Sequence, residues 1–281
     1  MANFKIGLQL YSVKDYAAEN IEETIRQVAQ MGYECVEFAG YFDKSAKEIK
    51  EICEKYNIEP ISAHHTHRPI LEDLEGLTDY LKEVGIKYCA VPALNPEDMT
   101  TQYPKLINDF KKISEVMASK GIKLMFHNHT AEFFAKQGDE VFIHRFFEDL
   151  KGYCGPEFDL CWVHYAGANP IEYIEKYKST EEIIHLMDFD CTKLSQGNIY
   201  DLEDGKGFKF GIERDKTEDG FISRPVGYGR QNIPALLDAI EKTDIKYVII
   251  ENEVWHTDPE DKETTLSDAK KIREYLRSIG Y

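Results

Sequence analysis

Carboxylate and imidazole side chains gather in a few short stretches of this 281-residue chain. One stretch holds His64, His65 and His67. A second, Phe126 to Phe133, holds His127, Asn128, His129 and Glu132. Asp159 and Trp162 share a third run and His185 and Asp188 a fourth, while Glu251, Glu253 and His256 crowd a fifth. Such groups are costly to bury without partners. A single carboxylate at the end of an apolar run ordinarily caps a helix or pairs with a cation. Acids or imidazoles ending four successive runs instead point to one shared ligand. Glu132, Asp159, His185 and Glu251 are therefore the expected ligands of a divalent cation. Three carboxylates and one imidazole suit Mn²⁺ first, with Mg²⁺, Co²⁺, Fe²⁺ and Zn²⁺ also accommodated.

The elements that must bring these residues together follow from the texture of the chain. Short apolar runs alternate with longer amphipathic stretches. Strands are expected at Phe4 to Leu10, Cys35 to Phe38, Pro60 to His64, Lys87 to Val91, Lys123 to Phe126, Glu157 to Leu160, Ile183 to Asp188 and Tyr247 to Ile250. Helical periodicity marks Ile21 to Met31, Ala46 to Tyr56 behind a Ser45 cap, Leu71 to Val84, Tyr103 to Ser119, Val141 to Leu150, Ile171 to Tyr177, Ile233 to Lys242 and Leu266 to Ile279. The phrases MGYECVEF, YNIEPISA, VGIKYCAV, KGIKLMFH and TDIKYVII each run from a helix end through a short turn into a strand. Alternating strands and helices require a parallel sheet. Eight such units without a glycine-rich phosphate loop after the first strand predict an α/β fold, a single-domain (β/α)8 TIM barrel over residues 1–281. About 38 residues from Phe189 to Val226 break the pattern, as a binding loop or lid would.

Composition excludes some functions. A net charge of −17 argues against nucleic acid or an anionic membrane surface as partner. Six dispersed cysteines, no secretory h-region and no apolar run of roughly 18 residues predict reduced thiols and a cytoplasmic location. His144 and His164 are expected to be structural, and Phe133 and Phe134 to belong to the core.

Several of these segments resemble the sugar phosphate isomerase/epimerase family of xylose-isomerase-like, AP-endonuclease-like barrels. FHNHTAEF is similar to its Y-H-N-H-x-x-E-F motif, and FDLCWVHYAGANP to its D-x-x-W-x-x-x-A-G-x-D-P segment. IIHLMDFD resembles its strand-seven I-x-H-x-K-D, RPVGYGRQNI its V-G-x-G turn, and YVIIENE its strand-eight V-E-x-D. The resemblance implies a metal-dependent isomerase or epimerase acting on a small ketose or polyol through an enediolate. It again selects Glu132, Asp159, His185 and Glu251 as ligands. His129, Glu132, Glu251 and Glu253 are then the candidates for proton transfer, and His64, His127, Trp162, Asp188 and Arg230 for substrate contacts. Met187 stands where the family usually has Lys, which argues against a phosphorylated substrate. Because an enediolate can also expel a β-substituent, a dehydratase or keto-glycoside lyase working on an inosose or 3-keto-sugar is the alternative. A non-catalytic sugar-binding subunit of a larger complex is the rival from another class. The resemblance also suggests a homodimer.

Overall fold

The computed structural model describes residues 2–195, 220–252 and 263–281. Eight parallel strands curl into one sheet with helices between them: β1 (Lys5–Gln9), β2 (Cys35–Phe38), β3 (Glu59–His64), β4 (Tyr88–Val91), β5 (Lys123–His127), β6 (Cys154–Glu157), β7 (Ile183–Leu186) and β8 (Tyr247–Ile250). Their order is β6-β5-β4-β3-β2-β1-β8-β7. The fold is the expected TIM barrel. Between β6 and β7 no ladder forms; a lone parallel bridge, Asp159 with His185, spans that seam.

Local chemistry explains the elements. The Ser45 side chain accepts from the Glu48 backbone N–H while the Glu48 carboxylate accepts from the Ser45 N–H, a capping box that starts the helix Ala46–Tyr56. The helix Lys14–Met31 stops at Gly32, whose φ of 91° favours glycine. Outward-facing Val36, Phe38, Leu124, Phe126, Ile184, Leu186, Val248 and Ile250 pack against the helices in the main core. A separate cluster of Cys35, Ile61, Tyr88, Ala90, Met125, Ile183, Tyr247 and Ile249 fills the barrel interior. Among the described residues no helix is long and apolar enough to cross a membrane.

Two expectations are corrected. The sixth strand is Cys154–Glu157, and Leu160 opens a helix, Leu160–Tyr165. Gly155 and Pro156 are residue types that favour turns. Here Pro156 is tolerated because β6 borders the seam, where no ladder partner requires its missing N–H. The seventh strand ends at Leu186. Asp188–Asp190 instead forms an antiparallel pair with Ile222–Arg224. Most of the expected lid, together with Glu253 and His256, lies outside the described residues.

Candidate metal centre

Side chains alternate in direction along a strand. Two residues beyond Cys35, Met125, Ile183 and Ile249 of the interior cluster come Glu37, His127, His185 and Glu251. The same pleat that buries an apolar floor thus places polar groups in the layer above it. His64 needs a further device. The pairing of β2 with β3 slips by one residue between Val36 and Glu37, so Ser62 lies opposite Glu37. This irregularity turns His64 inward, where a regular strand beginning from Ile61 would turn it out.

The resulting layer is densely connected. His185 Nε2 lies 2.7 Å from Glu37 Oε2 and 3.3 Å from Glu157 Oε1, and its Nδ1 lies 3.0 Å from Glu251 Oε2. His64 Nε2 sits 2.8 Å from Glu157 Oε1 and 3.0 Å from Glu37 Oε2. His127 Nδ1 is 3.6 Å from the same Glu157 oxygen. Gln9 Nε2 donates to Glu37 Oε2 at 2.7 Å. Burial and the Glu157 charge push Glu37 upward, but His64 and His185 outweigh them and hold its carboxyl at about 2. Burial lowers His64, yet Glu37 and Glu157 raise it to about 10. Burial, helped by the His185 and His64 charges, lowers His127, and burial, helped by the Glu251 charge, pushes Asp159 well above the usual carboxylate range.

Two overlapping sets of ligand atoms lie within 4.8 Å of one another: His64, His127, Glu157 and His185, and His127, Asp159, His185 and Glu251. The second set fits a divalent cation. Asp159 Oδ1 accepts from the N–H groups of Cys161 and Trp162, whereas its buried Oδ2 has no hydrogen-bond partner among the described residues. Two imidazoles and two carboxylates are an ordinary donor set for Zn²⁺, Mn²⁺, Fe²⁺ or Co²⁺. A ligating histidine ordinarily donates its other N–H to a carboxylate, which fixes the tautomer. With Nδ1 turned to Glu251, His185 has Nε2 2.7 Å from Glu37 Oε2, which leaves Glu37 and Glu157 beneath the site as candidate supporting carboxylates.

A family description, "Xylose isomerase-like TIM barrel", matches residues 25–279. The chain belongs to this family. An inosose dehydratase of Mesomycoplasma hyopneumoniae (strain 7448) is 25% identical over 286 residues, covering 92% of this chain and 89% of the relative. A sugar phosphate isomerase/epimerase of Parabacteroides distasonis superposes with a TM-score of 0.70 at 18% identity, over 100% of this chain and 96% of the other. The IolI protein with a bound zinc atom gives 0.65 at 15% identity over 99% of each chain.

In this xylose isomerase-like barrel, three of the four ligands expected from the sequence, Asp159, His185 and Glu251, come together. Glu132 does not join them, and His127, expected to contact substrate, stands in the fourth place. Glu132 lies in the short helix Ala131–Phe134, where its carboxylate accepts the His129 N–H at 3.0 Å. Burial raises that carboxyl to about 7. The His129 ring packs 5.0 Å from His127 and 5.5 Å from Trp162, centroid to centroid. Trp162 is fully buried with Tyr165, Met187, Phe189 and Phe221, stacking on Phe221 at 4.9 Å, so it forms a wall of the core and not an open platform.

Asp188 and Arg230, both expected at substrate, have other partners. Asp188 Oδ1 accepts from the N–H groups of Phe189 and Gln231, and Oδ2 from those of Gly227 and Gly229. Its carboxylate therefore staples the Val226–Gln231 turn to the end of β7. Exposed Arg230 donates to the Cys191 carbonyl at 3.2 Å, with its guanidinium 5.8 Å from the Phe189 ring centre. The sequence reading missed Glu157 and gave Glu37 no role. Glu157 and Asp159 are spaced to share one face of an extended chain, and Glu37 is a lone acid inside the strand Cys-Val-Glu-Phe. Both signals were present.

Proposed function

We propose that this protein binds one divalent cation among His127, Asp159, His185 and Glu251 and moves a proton next to a carbonyl of a small sugar or polyol. The observation that carries the reading is the buried, mutually close ligand set with an unpartnered Asp159 oxygen. A bound cation supplies Lewis acidity for negative charge developing on a substrate oxygen. Glu37 Oε2 lies 2.7 Å from His185 Nε2, on the side of the ring away from Glu251. Glu132, held at about 7, is matched to taking up and returning a proton near neutral pH. His129, beside His127 and against Trp162, is the second proton-carrying candidate.

Return of the proton to a neighbouring carbon isomerises, and return to the opposite face epimerises. The likeness to an inosose dehydratase along 92% of the chain favours a second outcome. There the abstracted C–H pair forms a C=C bond while the β-hydroxyl departs with a proton as water.

The test begins with metal content. Protein prepared without added metal, beside Glu251→Gln and His185→Ala, is measured by elemental analysis, with circular dichroism as the check on folding. About one equivalent in the parent, lost in both folded variants, supports the site. Ketoses, inososes and 3-keto-glycosides are then followed by NMR in deuterated water. Exchange without net loss of hydroxyl identifies isomerase or epimerase chemistry, and appearance of an enone identifies dehydration. A parent that neither holds metal nor gains stability from it overturns the reading and leaves a sugar-binding subunit as the better account.

A further inference from the structure

The barrel is held at the β6/β7 seam by unusual means. Each of the other neighbouring strand pairs forms a hydrogen-bonded ladder, from β6-β5 round to β8-β7. At the seam, His185 N–H donates to the Phe158 carbonyl at 2.8 Å. The Phe158 N–H has no β7 carbonyl to meet. It donates at 2.9 Å to Oε1 of Glu181, a side chain only 1% exposed. Glu181 is itself fixed at the foot of β7, where its backbone N–H and that of Thr180 both donate to the Tyr177 carbonyl. On the far side, Asn128 Oδ1 accepts the Asp159 N–H at 3.1 Å. The two successive peptide N–H groups leading to Asp159 are thus gripped from both neighbours, Asp159's by an amide on the β5 side and Phe158's by a carboxyl on the β7 side.

We infer that Glu181 is a positioning residue for the metal centre: its buried side-chain oxygen replaces the absent backbone rung and keeps Asp159 opposite His185. The inference rests on the proposed metal-binding reading and deepens it. Among the described residues Glu181 has no place in either set of candidate ligands and its second oxygen makes no hydrogen bond, so its work in the fold is the contact to Phe158. Burial also pushes its carboxyl well above the usual range, so glutamine matches it in both shape and charge.

Three variants separate positioning from general stability: Glu181→Gln keeps the accepting oxygen, Glu181→Asp withdraws it by one methylene, and Glu181→Leu removes it. Each metal-free protein is titrated with Co²⁺, reading the visible d–d spectrum and the dissociation constant, beside a thermal melt. Supporting partners of metal ligands typically govern about 10- to 100-fold in affinity. The expected result is parental affinity and spectrum in Glu181→Gln, with about 10- to 100-fold weaker binding and an altered spectrum in Glu181→Asp and Glu181→Leu. Should Glu181→Leu not fold, the contrast of Gln with Asp decides. Unchanged Co²⁺ affinity and spectrum in Glu181→Asp, or equal weakening in Glu181→Gln, overturns the assignment while leaving the metal site standing. A parent that binds no Co²⁺ overturns both.

Discussion

Replacing Glu132 with glutamine tests two conclusions together. Glu132 is 2% exposed, and burial holds its carboxyl at about 7 against an ordinary 4.5. The folded chain therefore keeps a proton that the unfolded chain gives up across that window. Stability falls as pH rises from 4.5 to 7; the penalty is absent below the window and complete above it. The span between the two values corresponds to about 3 kcal/mol, at ~1.4 kcal/mol per pH unit. Glutamine cannot ionise, yet it keeps an oxygen for the His129 N–H. The variant should exceed the parent by up to about 3 kcal/mol at pH 8 and match it at pH 4.5. Urea unfolding of the metal-free proteins, followed by circular dichroism at equal ionic strength, reads this directly. A variant no more stable than the parent at pH 8, or a gap that is the same at both pH values, refutes the burial argument. Glu132→Gln should also retain the parent's metal content while losing proton exchange, and loss of metal would return Glu132 to the ligand set.

Other perturbations address the neighbouring elements. Burial works against the charge on His64, but Glu37 and Glu157 hold it at about 10, so its contribution is complete below pH 6.5 and lost as pH rises through 10. Metal-free parent should lose stability across that range in urea titrations and His64→Gln should lose less; parallel declines would count against the network. Asp188→Asn should destabilise the fold by about 1.5–3 kcal/mol for each charge-assisted bond it forfeits, with metal content unchanged, because its carboxylate serves the Val226–Gln231 turn. Metal loss in that variant would place Asp188 nearer the site. At Gly229 an added Cβ would fall 2.3 Å from Asp188 Oδ1 and 2.6 Å from the Phe189 carbonyl. Gly229→Ala should therefore cost about 1–3 kcal/mol in thermal or urea unfolding, and an unchanged midpoint would mean that the turn yields freely.

Much of the barrel was legible because its strands and helices obey their separate periods. Cys35–Phe38, Ala46–Tyr56, Tyr103–Ser119 and Tyr247–Ile250 were readable to the residue. The sixth strand was not, since Gly155 and Pro156 carry a local turn preference that only the absence of a neighbouring ladder makes harmless. Chain order alone brought Asp159, His185 and Glu251 to one barrel end. The difference between His127 and Glu132 lies elsewhere. His127 ends a strand and follows the pleat inward, whereas Glu132 falls in a helical turn whose direction depends on the His129 N–H. Glu37 received no role and Glu157 was missed because their partners come from three distant strands, a proximity that sequence separation conceals.

The pairing of Asp188–Asp190 with Ile222–Arg224 has a consequence for how this chain bears changes in length. The chain departs from and returns to the same antiparallel rung, and Asp188 fastens the re-entering strand through Gly227 and Gly229. The two ends of the connection are thus tied to each other, and lengthening a loop closed in this way adds only slowly to its entropic cost. Residues inserted or deleted between these two strands would thus leave His185 and the barrel in register.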